Sequence, residues 1–298
     1  MIDEALGQIS VERLRAHIEA LEGVRHPLVA PEALERAAGY VEAALAGLGY
    51  EVEAHRFPAH GREFHNFLAT LRGAGRPEER VLVVAHYDTV ADSPGADDNG
   101  SGVAGLLELA RVLAPLRFER TVQFVAVNLE ENQEQEGEPK LSTVGSRALA
   151  VDARAQGWQI EGVLVLESIA YAGTDLAQQA PAGMPMEMPE RGDFLAVVGN
   201  EASLRLVEAF GRAVERHDLP LPLFPIVVPG KGEVLPDTRR SDHSPFWDND
   251  YPAVMLTDTA NFRNPNYHRP GDTLETLNLD FAAAVCRAVA GVVAELAG

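Results

Sequence analysis

Apolar runs that stop abruptly at acids and histidines set the strongest constraint on this chain. RVLVVA (80–85) leads into His86 and Asp88, TVQFVAVNL (121–129) into Glu130 and Glu131, and GVLVL (162–166) into Glu167. A fourth, YPAVML (251–256), is followed by a loop holding Tyr267 and His268. Each run is short and rich in Val and Leu, as strands buried on both faces are. Further extended segments are read at 51–59, 65–73, 192–200 and 225–230, and helical periodicity at 9–23, 31–50, 101–115, 144–157, 200–220 and 278–296. Strand and helix alternate, which predicts an α/β fold with a mixed, largely parallel central sheet and helices on both faces. No linker or compositional break interrupts the 298 residues, so a single domain over 1–298 is expected.

In open α/β sheets ligands sit beyond the carboxyl ends of the strands. Any one of these residues alone would be a hydrogen-bonded structural group or solvated surface. Together they bring two histidines and several acids to one edge, where burying a carboxylate is costly without a partner. A cation meets that cost. Imidazole mixed with carboxylate suits zinc, or less selectively manganese or cobalt, better than calcium or magnesium, which favour oxygen shells.

Other readings fail on particular residues. GSGVAG, with Gly100, Gly102 and Gly105, matches a dinucleotide fingerprint, but a loop carrying Asp92, Asp97 and Asp98 separates it from the strand, and those carboxylates would repel a diphosphate. The glycines are instead read as letting the acidic loop turn tightly against the helix. No G-x-S-x-G elbow is present, and Cys286 lies in a helical pattern as a core thiol. A formal charge of -20 excludes nucleic acid and anionic membrane as partners, since both need a basic footprint. The N-terminal segment has acids where a signal peptide has a basic region, and no run reaches the ~18 apolar residues of a membrane span. The chain is therefore expected to be soluble and cytoplasmic. Residues 172–193, with several prolines and methionines and no period, are expected to be a surface loop or a lid over a cleft.

The motifs HYD (86–88), GADDNGSG (95–102), LEEN (129–132), LESIAY (166–171), RSDHSPFW (240–247) and YHRPGDT (267–273), in this order, resemble the M28 zinc aminopeptidase family. The resemblance implies the zinc-exopeptidase (phosphorylase/hydrolase-like) fold, a peptide substrate and two zinc ions bridged by one carboxylate. Carried over, His86 and Glu167 ligate one metal, Glu131 and His268 the other, and Asp98 bridges, with Asp97 a neighbour. Many relatives have Asp where this chain has Glu167; one extra methylene still reaches a metal. Glu130 then resembles the general base. Asp88 is expected to orient His86, and Tyr267 to donate to a developing oxyanion. Asp242 and His243 are expected near the site as substrate-binding or supporting groups. The segment NQEQEGEPKLST is longer than the family's usual link. The alternatives carried alongside are a mono-zinc transferase of the glutaminyl-cyclase type and a non-catalytic binding module; amino- or carboxy-terminal cleavage stays open.

Overall fold

We describe residues 2–131 and 142–298 of a computed structural model. In chain order the elements are α1 (Ile2–Gly7), α2 (Val11–Leu21), α3 (Pro31–Gly47), β1 (Val52–Ala59), β2 (Arg62–Leu71), β3 (Arg76–His86), α4 (Gly102–Leu113) and β4 (Arg120–Val127). They continue as α5 (Val144–Ala155), β5 (Gln159–Glu167), β6 (Leu195–Asn200), α6 (Leu204–Arg216), β7 (Leu223–Val228), α7 (His243–Asp248), β8 (Ala253–Thr257) and α8 (Leu279–Ala297). All eight expected strands are present, in one sheet of order β1-β2-β4-β3-β5-β8-β6-β7. The central four, β4, β3, β5 and β8, run parallel; β1 and β2 add an antiparallel hairpin on one side, and β6 runs antiparallel to β8 on the other.

The continuous apolar runs now have their reason. Along β3, Val81, Val83 and Ala85 pack into one core layer, while Leu82 and Val84 point into the other. The first layer is closed by α4 and α8, the second by α5 and α7, so the middle strands meet apolar side chains on both faces. Helix α8 is buried nearly all round, and Cys286 is a fully buried thiol within it, pushed up to about 12 by burial.

The chain leaves β3 for β4 on one side, then crosses through α5 to β5 on the other side of β3. That reversal opens a crevice at the carboxyl ends of β3 and β5, the place where such sheets bind ligands. Residues 172–193 form no named strand or helix but are tied down. Gly192 donates to Leu176 O at 2.8 Å, Gln179 donates to Phe262 O at 2.8 Å, and Met184 and Met188 pack against the second core. Among the described residues no helix is long and apolar enough to cross a membrane.

Candidate metal centre

His86 is the last residue of β3, and Glu167 the last of β5. Glu130 and Glu131 follow the end of β4, and Asp98 lies in the tight turn Ala96–Ser101 that leads into α4. His268 comes from the loop after β8. The backbone turns sharply at three of these places: Leu129, Ser168 and His268 have φ of 58°, 51° and 58°. Left-handed backbone costs a non-glycine residue roughly 1–2 kcal/mol, so each must be held by its surroundings. Leu129 is: its N–H donates to Asn128 Oδ1 at 2.9 Å, and the carbonyls of 128–130 accept from Gly145, Val144 and Thr143 where α5 begins. Helix-start amides that have no partner within the helix thus anchor the segment carrying both glutamates.

These residues converge as two groups that share Asp98: His86, Asp98 and Glu167, and Asp98, Glu131 and His268. His86 Nε2 lies 3.3 Å from Asp98 Oδ1 and 3.4 Å from Glu167 Oε2; His268 Nε2 lies 3.1 Å from Asp98 Oδ2 and 3.2 Å from Glu131 Oε1. Ligands ~2.0–2.1 Å from a tetrahedral zinc stand about 3.3 Å from one another, which these spacings match. Both ring Nε2 atoms and both Asp98 oxygens are buried without a hydrogen-bond partner. Buried polar atoms are rarely left so, and a metal ion held by each group would satisfy them. The electrostatics agree. Burial pushes both imidazoles toward neutrality, yet the surrounding carboxylates outweigh it, raising His268 to about 10 and His86 well above its usual value. Burial likewise raises Asp98, but the adjacent His268 and His86 imidazoles bring it below the usual carboxylate range. The cluster demands positive charge at its centre.

Glu130 belongs to neither group. Its Oε2 is 3.9 Å from His86 Nε2, and burial, with Glu167, Glu131 and Asp242 nearby, holds its carboxyl well above the ordinary range despite the attraction of His86. Asp88 Oδ1 lies 3.5 Å from His86 Nδ1 and accepts the Glu130 N–H at 3.0 Å; its Oδ2 accepts the Glu131 N–H at 3.2 Å. It sits behind the histidine and also fixes the strand end bearing the glutamates. The Tyr267 ring stacks on His268, centroids 3.9 Å apart, and its hydroxyl, 3.4 Å from Arg240 Nη2, stays protonated because burial and nearby acids raise it.

Asp242 and His243 are both fully buried. Burial raises Asp242 to about 7, countered by His86. His243 gives its Nε2 to the Thr238 carbonyl at 2.7 Å and lies edge-on to Trp247. Of the two roles open to them, this placement fits support rather than substrate contact. Asp97 belongs to neither donor group: its carboxylate accepts from Ala170 N at 3.0 Å and Asn264 Nδ2 at 3.3 Å. Burial first, then Asp258, pushes Asp97 well above the carboxylate range. Asp92 is exposed.

Several supporting residues escaped the sequence reading. Arg25, 2% exposed, donates to the carbonyls of Tyr87 (2.8 Å), Gly23 and Pro94 (both 2.9 Å), Gly95 (3.0 Å) and Leu21. It clamps the loop that leads to Asp98. Asp272 accepts the N–H groups of Asp97 at 2.9 Å and Asp98 at 3.2 Å. Ser241 Oγ donates to Glu167 Oε2 at 2.7 Å, orienting it. Asn99 joins the loop to β5, donating to Leu166 O at 2.8 Å and accepting from Ser168 N at 3.1 Å. That explains one glycine of the apparent nucleotide motif: a Cβ on Gly102 would lie 2.2 Å from Asn99 Oδ1. At Gly95 the chain is left-handed (φ 63°) and a side chain would strike Thr89 and the Asp98 carbonyl. The only sequence signal for Asp272 was its place in YHRPGDT; Arg25 had none.

Beside Glu167 and Tyr267 lies an apolar cavity of about 600 Å³ including open solvent, walled by Met184 and Met188 of the 172–193 segment with Val198, Ile226, Met255 and Phe262. The long loop is therefore one wall of the cleft.

Residues 66–293 match the pattern of Peptidase family M28. The chain belongs to that family. The M28 chain is 34% identical to the uncharacterized protein YfbL of Escherichia coli (strain K12) over 289 residues, covering 93% of itself and 85% of YfbL. It is 29% identical to leucine aminopeptidase 1 of Trichophyton equinum over 247 residues, 78% of this chain but 58% of the fungal one, so it spans little more than half of that relative. Among solved structures, the aminopeptidase from Aneurinibacillus sp. strain AM-1 superposes with a TM-score of 0.73 at 16% identity, covering 100% of this chain and 96% of the other. A glutaminyl cyclase from Macrostomum lignano gives 0.72 at 22% identity, covering 99% and 91%. At these identities the structural likeness establishes the M28 fold alone.

Proposed function

We propose that this M28 chain is a two-zinc aminopeptidase that removes an N-terminal residue from peptides. The observation that carries the reading is the pair of donor groups meeting at Asp98, with a further buried carboxylate, Glu130, beside them and outside both. His86, Asp98 and Glu167 would hold one ion, and Asp98, Glu131 and His268 the other. Bound there, the metal supplies Lewis acidity, lowering the pKa of a water and polarising the scissile carbonyl.

The chain's own groups do the rest. Glu130, its proton affinity raised by burial, takes a proton from the attacking water and passes it to the leaving amine. The protonated Tyr267 hydroxyl donates to the oxygen on which charge develops. Asp88 keeps His86 in one tautomer by facing its Nδ1. The apolar cavity at Glu167 accepts an aliphatic or aromatic N-terminal side chain, and cleft acids hold the free amine.

Zinc analysis of the purified chain together with leucine p-nitroanilide hydrolysis tests this. Two zinc ions per chain are expected, and Glu130→Gln should keep them while turnover falls by ~10²–10⁴. One zinc per chain with cyclisation of N-terminal glutamine would assign the chain to the cyclase chemistry instead.

A further inference from the structure

The donor groups stand between two cavities. Beside the other donor group is a second, of about 750 Å³ including open solvent, with Glu130, Glu131 and His268 in its wall together with Arg147, Arg239 and Arg240. Tyr267 and Arg240 stand in both walls. If the N-terminal side chain fills the apolar cavity and the scissile bond lies at the donor groups, the leaving residue occupies the second; this step rests on the aminopeptidase reading above.

Arginines gathered at one cavity are unusual for a chain with 45 acids and 25 bases. Among the described residues, Asp248 and Asp237 pair with them, and Glu130 and Glu131 stand in the same wall. Arg239 Nη2 reaches both oxygens of Asp248 at 2.8 and 3.0 Å, leaving Arg147 with that same carboxylate at 3.8 Å and the Thr143 hydroxyl at 3.4 Å. Arg240 is held by Asn261 Oδ1 at 2.9 Å and Asp237 Oδ1 at 3.3 Å. The side chains of Arg147 and Arg240 stay 55% and 42% exposed, and Arg147 meets its carboxylate only at 3.8 Å, so both present guanidinium groups to the cavity. Guanidinium presents paired N–H groups that match a carboxylate.

We propose that this cavity binds a carboxylate on the residue after the scissile bond, either the α-carboxylate of a dipeptide or the side chain of Asp or Glu, through Arg147 and Arg240. The enzyme would then favour dipeptides or peptides acidic at the second position.

The test is kcat/KM of the zinc-loaded enzyme on Leu-Ala, Leu-Ala-amide and Leu-Asp-amide. Leu-Ala, Leu-Asp-amide or both should exceed Leu-Ala-amide by about tenfold, as a charge-assisted hydrogen bond supplies; which one does so identifies the source of the carboxylate. Arg147→Met and Arg240→Met should each bring that ratio toward one, and calorimetric titration of the Glu130→Gln chain should show the same preference as affinity. Equal kcat/KM for the three substrates, or a ratio the arginine variants do not move, overturns the proposal while leaving the aminopeptidase reading intact. A preference for Asp-Ala over Leu-Ala also overturns it, by putting the charge on the wrong residue. Failure to cleave all three and leucine p-nitroanilide as well defeats the underlying reading.

Discussion

The Asp88 carboxylate accepts the backbone N–H of Glu130 at 3.0 Å while the same oxygen lies 3.5 Å from His86 Nδ1. One acid thus sets both the ring that would bind metal and the backbone of the residue that would move the proton. Asp88→Asn replaces an acceptor with an amide whose NH₂ meets N–H groups. Zinc affinity should fall roughly 10–100-fold, measured by competition with a chromogenic chelator, with circular dichroism unchanged. Undiminished affinity would remove Asp88 from the site's support.

The adjacent acids Asp97 and Asp98 should behave differently. Asp98 is common to both donor groups, so Asp98→Ala should cost both zinc ions by elemental analysis. Asp97 faces Ala170 N and Asn264, so Asp97→Asn should keep bound zinc and lower the melting temperature instead. Equal zinc loss from both would mean the bridge has been placed at the wrong acid.

Replacing Arg25 by Met leaves a set of buried carbonyls without their donor and removes a cation that faces Asp88, Asp272, Asp98 and Glu131. Hydrogen bonds from a charged group contribute about 1.5–3 kcal/mol, so a loss of at least ~3 kcal/mol is expected in denaturant unfolding. Arg25→Lys, which keeps the charge but not the fan of donors, should recover only part of it.

His243 gives a pH signature distinct from the metal groups. Burial lowers it to about 4, against 6.5 for an exposed histidine. Above pH 6.5 the ring is neutral folded or unfolded and has no effect. Between 6.5 and 4 the unfolded chain takes up a proton that the folded chain refuses, so stability falls with pH, by up to about 3 kcal/mol. His243→Gln should flatten that part of the curve of unfolding free energy against pH; an identical slope would contradict the burial argument.

The strands were legible because each carries its own local signal, an apolar run long enough to cross the sheet and closed by a polar residue. Helices α1 and α7 were not read: each has six residues, too few for a helical period, and α7 contains Pro245. Asp98, Glu131, Glu167 and the two histidines were reached through motif order, and the geometry draws them together. The second row was hidden for a physical reason. Asp272 and Asp97 are the same residue type as Asp98, the proposed bridge, and what separates them is that each faces backbone N–H groups, contacts made across 73–175 residues of chain. Arg25 acts on carbonyls, which every residue has, so no side-chain pattern marks its partners. The long link expected at NQEQEGEPKLST falls largely at 132–141, outside the described residues.

The clamp made by Arg25 bears on how this protein can be divided. The stretch that identifies the family starts at residue 66 and contains each side chain proposed to touch metal. The cation that shapes the loop around Asp98 lies forty-one positions earlier, between α2 and α3. A recognisable sequence unit and a transplantable one are therefore different lengths here. Moving this chemistry into another protein, by gene fusion or by recombination in evolution, requires the opening helices to travel with it.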